Sequence, residues 1–166
     1  MDLNGTWETE AADALRHLAL DEGAKAYVIQ NPVLYRLLYR AALRFIGGGT
    51  LDECVGVARS LNAQGHALTI DFMGEITREA GRAVEATAEF LRVVRGIDAN
   101  ALDASVSLDL SHLGLVVGED LCLRNASWIA EAACRADLEV VISAEGVDCT
   151  DAATASSVLA AMALAC

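Results

Sequence analysis

Six residues at the ends of three short apolar runs have side chains that could do chemistry. They fall in similarly placed groups: Asp71-Phe-Met-Gly-Glu75, Asp109-Leu-Ser-His112 and Ser143-Ala-Glu145. Carboxylates gathered at one edge can hold a cation, share a proton or stand in bulk water. A hard metal ion on Asp71, Asp109, Glu145 and His112 is one reading, because such ions take oxygen ligands. The spacing carries no metal-site signature, and no metal is assigned. Each residue also has a plainer reading. Glu75 can be an exposed loop carboxylate, Asp109 a rim carboxylate facing water, and His112 a packing residue in a loop rather than a general base.

Whether the groups meet depends on the elements that carry them. Residues 67–72, 104–110 and 138–144 are apolar runs of strand length. The stretches 77–95, 119–136 and 151–166 read as the helices that follow them, with Gly74 and Leu113-Gly-Leu-Val-Val-Gly118 as loops. Near-continuous apolar strands alternating with amphipathic helices predict a parallel sheet covered by helices. A doubly wound sheet and a (β/α) barrel both fit, and no GxGxxG follows any strand. In either, chemistry belongs at the carboxyl ends of the strands. Three strands would each bring a carboxylate to that edge.

Upstream, residues 8–22 and 24–46 read as helices, the second restarting near Asn31 because of Pro32. Gly47-Gly-Gly49 stops it. Thr50-Leu-Asp-Glu53 resembles a capping box, opening a helix to about Asn62 that Gly65 ends.

Composition narrows the partners. The chain has 166 residues, 54% apolar and 22% charged, as in a globular domain. Twelve Lys plus Arg face 24 Asp plus Glu, a net charge of −12, and Lys25 is the only lysine. Nucleic acid and anionic membrane surfaces need a cationic face and are not expected as partners. No apolar stretch approaches the ~20 residues of a spanning helix, and Met1-Asp2 does not open a secretory signal. The five scattered cysteines, at 54, 122, 134, 149 and 166, read as reduced and mostly buried thiols of a cytoplasmic protein. Trp7 and Trp128 read as packing anchors.

The strand-end motifs resemble those of the proline dehydrogenase family. The residues concerned are Asp71-Phe-Met-Gly-Glu75, Ser107-Leu-Asp-Leu-Ser-His-Leu-Gly-Leu115, and Ile142-Ser-Ala-Glu145 with Thr150-Asp151. Arg44-Phe-Ile-Gly-Gly-Gly-Thr-Leu-Asp-Glu53 and Leu61-Asn-Ala-Gln-Gly65 are similar to the family's N-terminal helical segment, so the resemblance covers about residues 43–154. It implies an α/β fold, a partial (β/α) TIM-type barrel of about three strand–helix units behind an N-terminal helical segment. The expected division is 1–64 for the helices and 65–166 for the partial barrel, in one continuous domain.

The resemblance further implies an FAD-dependent oxidation of L-proline, or a related cyclic amine, to pyrroline-5-carboxylate. It places Glu75, Asp109 and Glu145 at catalytic positions, with Glu75 as the glutamate of an ion pair closing over the substrate. It places Asp71 and Ser143 at cofactor-binding positions. Two positions depart from the family pattern. A lysine near flavin and substrate is replaced by Asp109, and the aspartate that pairs with it by Ser143. Losing the lysine alone would strand a buried carboxylate at a cost of about 3–5 kcal/mol, so the paired change is physically coherent.

A complete barrel takes about 250 residues. The sequence is therefore expected to supply only part of one, its open side covered by self-association as a homo-oligomer or by a partner chain. The alternative expectation is a non-catalytic half-barrel serving as an interaction or scaffold module, with an apolar barrel interior and an open sheet edge.

Overall fold

The structure is a computed structural model that describes residues 4–74, 76–143 and 160. The chain divides into two compact units, Met1–Ile46 and Gly47–Cys166.

The first unit contains α1 (Asn4–Leu20), α2 (Glu22–Gln30) and α3 (Pro32–Ala42). Pro32 lacks an N–H and fixes its own φ, so the chain breaks at Asn31 and restarts with Pro32 in the first turn. The Asn31 side-chain oxygen accepts from the backbone N–H of Val33 at 3.2 Å and of Leu34 at 3.1 Å, capping α3.

The second unit runs α4 (Leu51–Asn62), β1 (Leu68–Asp71), α5 (Ala80–Ala99), β2 (Ala104–Asp109), α6 (Glu119–Arg135) and β3 (Val140–Ser143). Thr50 caps α4, its hydroxyl accepting from the Glu53 N–H at 3.3 Å. Glu53 reaches back one residue further than a capping box requires, accepting from the Gly49 N–H at 2.8 Å. α4 packs against α5 and β1. α4 belongs to the same compact unit as the sheet. Asn62 ties the end of α4 to the residue before β2: its side-chain amide donates to the Asp103 carbonyl at 3.1 Å, and its oxygen accepts from the Asp103 N–H at 3.0 Å.

The strands are parallel and lie in the order β1-β2-β3. Side chains alternate across a strand. Ile70, Val106 and Leu108 lie on one face and are buried with Phe90, Val94 and Ile97 of α5 and Cys122, Ala126 and Ile129 of α6. This is the core, and both connecting helices serve it. The opposite face carries Thr69, Asp71, Ser105, Ser107, Asp109, Val141 and Ser143. It is built mainly of hydroxyls and carboxylates, so the apolar interior expected of a half-barrel is corrected here. The helix expected over 151–166 lies outside the described residues, apart from Ala160.

Two smaller expectations change. Trp7 and Trp128 are exposed and anchor no core. Of the cysteines described, Cys122 is buried, Cys54 is partly buried and Cys134 is exposed; Cys149 and Cys166 lie outside the described residues.

Candidate functional site at the carboxyl ends of the strands

Asp71 closes β1, Asp109 closes β2 and Ser143 closes β3. The register pairs Asp71 with Ser107, and Asp109 with Ser143. Register partners in a parallel sheet share a face, so Asp71, Ser107, Asp109 and Ser143 stand together on the polar face. The positions where the resemblance implied a Lys–Asp pair are thus direct neighbours across β2 and β3. Glu75 and Glu145 lie outside the described residues.

Asp109 is held in a defined pose. One carboxylate oxygen accepts from the Ser111 N–H at 2.9 Å and the other from the Ser111 hydroxyl at 2.6 Å. Ser111 is itself buried, and its carbonyl accepts from the Thr77 N–H at 3.1 Å, tying the loop after β2 to the loop after β1. Ser143 donates its hydroxyl to the Leu108 carbonyl at 3.3 Å, so that group is engaged within the sheet. Further down the same face, the hydroxyls of Thr69 and Ser105 lie 3.0 Å apart.

His112 packs beneath the site. Its ring stacks on Phe72 with centroids 5.2 Å apart and meets the edge or face of Phe90 at 5.7 Å. It also lies on the backbone of Gly74, where a Cβ would fall 1.9 Å from the imidazole. Glycine is needed there because the ring occupies the space of a side chain. Burial lowers the His112 pKa below its ordinary 6.5, opposed by the charges of Asp109 and Asp71 and by a hydrogen bond to the Phe72 backbone. The ring is therefore neutral near pH 7 and adds no positive charge to the site. Burial and then the charges of Asp109 and Glu119 push the Cys122 thiol up to about 11, so it stays protonated.

The loop after β2 is fixed from α6. Asn125 donates to the Leu113 carbonyl at 3.0 Å, and the Cys122 thiol donates to the Leu110 carbonyl at 3.6 Å. Gly114 has φ +96°, and a Cβ there would lie 3.0 Å from both Ala83 and Leu121. Backbone conformation and close approach both select glycine at the centre of Leu-Gly-Leu. Among the described residues no group of three His, Cys, Asp or Glu is placed to hold a metal ion.

The sequence signal found Asp71, Asp109 and Ser143, which the register brings to one face. It did not single out Ser107, buried on that face between the two aspartates. The alternation Ser-Val-Ser-Leu-Asp-Leu in β2 contained that information.

Sequential parallel strands, helices on one face and polar groups at the carboxyl end define part of a (β/α) TIM-type barrel. The proline utilization A (PutA) crystal structure from Bdellovibrio bacteriovorus, inactivated by N-propargylglycine, has this fold in the matching region. The TM-score is 0.68 at 14% identity, over 78% of this chain and 16% of that one. The sequence carries the likeness further. It is 32% identical over 104 residues to proline dehydrogenase 1 of Bacillus subtilis subsp. natto, covering 63% of this chain and 34% of that protein. It is 33% identical over 105 residues to proline dehydrogenase 2 of Bacillus subtilis strain 168, covering 63% and 35%. No family model matches the chain. The chain spans about a third of the length of these curated relatives and is proline-dehydrogenase-like over that stretch.

Proposed function

We propose that the chain is part of a proline-dehydrogenase-like oxidoreductase acting on L-proline or a related cyclic amine, and that its strand ends form the amine side of the site. The carrying observation is the shared polar face of Asp71, Ser107, Asp109 and Ser143 at the carboxyl ends of parallel strands. An amine is cationic at neutral pH and finds acceptors there. Asp109 is oriented by Ser111, and neutral His112 holds the Phe72–Gly74 loop from below.

FAD, the cofactor the family implies, supplies hydride acceptance when bound. The described face does not fit it. The strands put no lysine or arginine on that face, and two carboxylates oppose a pyrophosphate. The proposal includes a cytoplasmic setting, in keeping with the free thiols of Cys54, Cys122 and Cys134. It also includes a homo-oligomeric or partner chain meeting the sheet at the edges β1 and β3.

A second reading, a non-catalytic interaction module, is favoured by the paired replacement at Asp109 and Ser143. Dye-linked oxidation separates the two. The full chain is purified, supplied with FAD and assayed with L-proline. Substrate-dependent dye reduction supports the oxidoreductase. A colourless protein that reduces no dye with any cyclic amine supports the module.

A further inference from the structure

We propose that Asn125 is a positioning residue for the strand-end site, a buried amide on α6 that sets the loop after β2 and through it the loop after β1, and that it is kept polar at a cost to stability. The inference rests on reading the strand ends as the site, and deepens that reading by naming what holds them in place.

Asn125 is fully buried on the core face of α6, with Cys122, Ala126 and Ile129. Its Nδ2 donates to the Leu113 carbonyl at 3.0 Å. Its Oδ1 accepts from no donor among the described residues. Turning the amide over gives no relief, because Oδ1 would then face the Leu113 carbonyl, acceptor against acceptor. Half of the side chain is used and the other half is buried unmet. An unmet buried acceptor costs at least as much as one neutral hydrogen bond contributes. Leucine has a similar volume and carries no such cost, so stability alone does not select asparagine here. A buried polar group that stability does not select points to a role in placing its partner.

That partner is next to the residues that build the site. Leu113 follows Ser111 and His112 directly. Ser111 donates from its N–H and its hydroxyl to the two oxygens of Asp109, and its carbonyl accepts from the Thr77 N–H. His112 stacks on Phe72 and fills the space over Gly74. The chain then turns at Gly114, with φ +96°. One anchor at Leu113 therefore fixes Asp109 and, by two routes, the segment after β1. The Cys122 thiol, one turn earlier on the same face of α6, reaches the Leu110 carbonyl at 3.6 Å, but a thiol is a weak donor. Asn125 is the stronger of the two tethers.

Amide hydrogen exchange of the full chain, read residue by residue by NMR, tests this with Asn125→Leu. The Ser111 and Thr77 amides should exchange about tenfold faster than in the native chain, the scale of one hydrogen bond. The Val106 amide, bonded to the Glu139 carbonyl across the sheet, should keep its rate. The melting temperature should stay level or rise. Cys122→Ala should change the Ser111 and Thr77 rates less than about twofold. Asn125→Ala, which adds no bulk, is read in the same way should leucine prevent folding. Equal acceleration at Val106 would make Asn125 an ordinary core residue and overturn the proposal. So would unchanged rates at Ser111 and Thr77, an equal effect of Cys122→Ala, a marked fall in melting temperature in Asn125→Leu, or failure of both Asn125 variants to fold. The two readings fail separately. Exchange reports the tether whether or not the native chain reduces dye, and dye reduction by the native chain supports the oxidoreductase whether or not Asn125 holds the loop.

Discussion

His112 shows how one buried ring can set the geometry of a site without belonging to its chemistry. The imidazole fills the space over Gly74 and braces Phe72, the residue after Asp71. Gly74→Ala should destabilise the fold by about 1–3 kcal/mol, the usual range for overpacking. In a His112→Ala background the same change should cost much less, and chemical denaturation of the double-mutant cycle measures the coupling. The ring also imposes a pH dependence. Burial lowers its pKa in the folded state, so the unfolded chain takes up the proton first. Its contribution to stability is full above about pH 6.5 and declines as the pH falls below that value. Between about pH 7.5 and 5.5 the melting temperature should drop more in the native chain than in His112→Gln. An equal drop in both would remove the histidine from the explanation. The packing role was legible beforehand, but its partners were not. A histidine three residues after Asp109 gives no sign of its neighbours, which come from another loop and from α5.

At the scale of elements, the sheet has a wet face and a dry one. Leu108 is fully buried among the helices, whereas Ser105 faces away beside Thr69. Leu108→Ala should cost about 2–5 kcal/mol, and Ser105→Ala less than about 1 kcal/mol. Equal costs by urea denaturation would mean that the faces are assigned wrongly. The elements were legible because their signals are local. Asn31-Pro32 marks the helix break, and Thr50 with Glu53 marks the start of α4. The polarity of the inner face was written in β2 as strict alternation. Short β1 and β3 hid it, since four residues with one or two polar positions look like continuous apolar runs. The placement of α4 was not legible for a different reason. α4 packs on α5 and β1, a long-range arrangement that no local residue encodes.

At the scale of the whole molecule, the acidic balance and the acidic strand ends agree. A net charge of −12, twelve Lys plus Arg against 24 Asp plus Glu, disfavours polyanions, so retention on heparin at physiological salt is not expected. The same balance favours a cationic ligand. The likeness to proline dehydrogenases makes the strand ends the place to look, and the resemblance implies a Lys–Asp pair at the positions of Asp109 and Ser143. The two residues are register partners across β2 and β3. The central claim is that ligand chemistry belongs to the polar carboxyl-end face. Amide resonances of the isotope-labelled chain, followed while pyrrolidine is added, test it most directly. The account predicts shifts centred on Asp71, Ser107, Asp109 and Ser111. Shifts confined to the outer surfaces of α5 and α6, or none at saturating pyrrolidine, would contradict it.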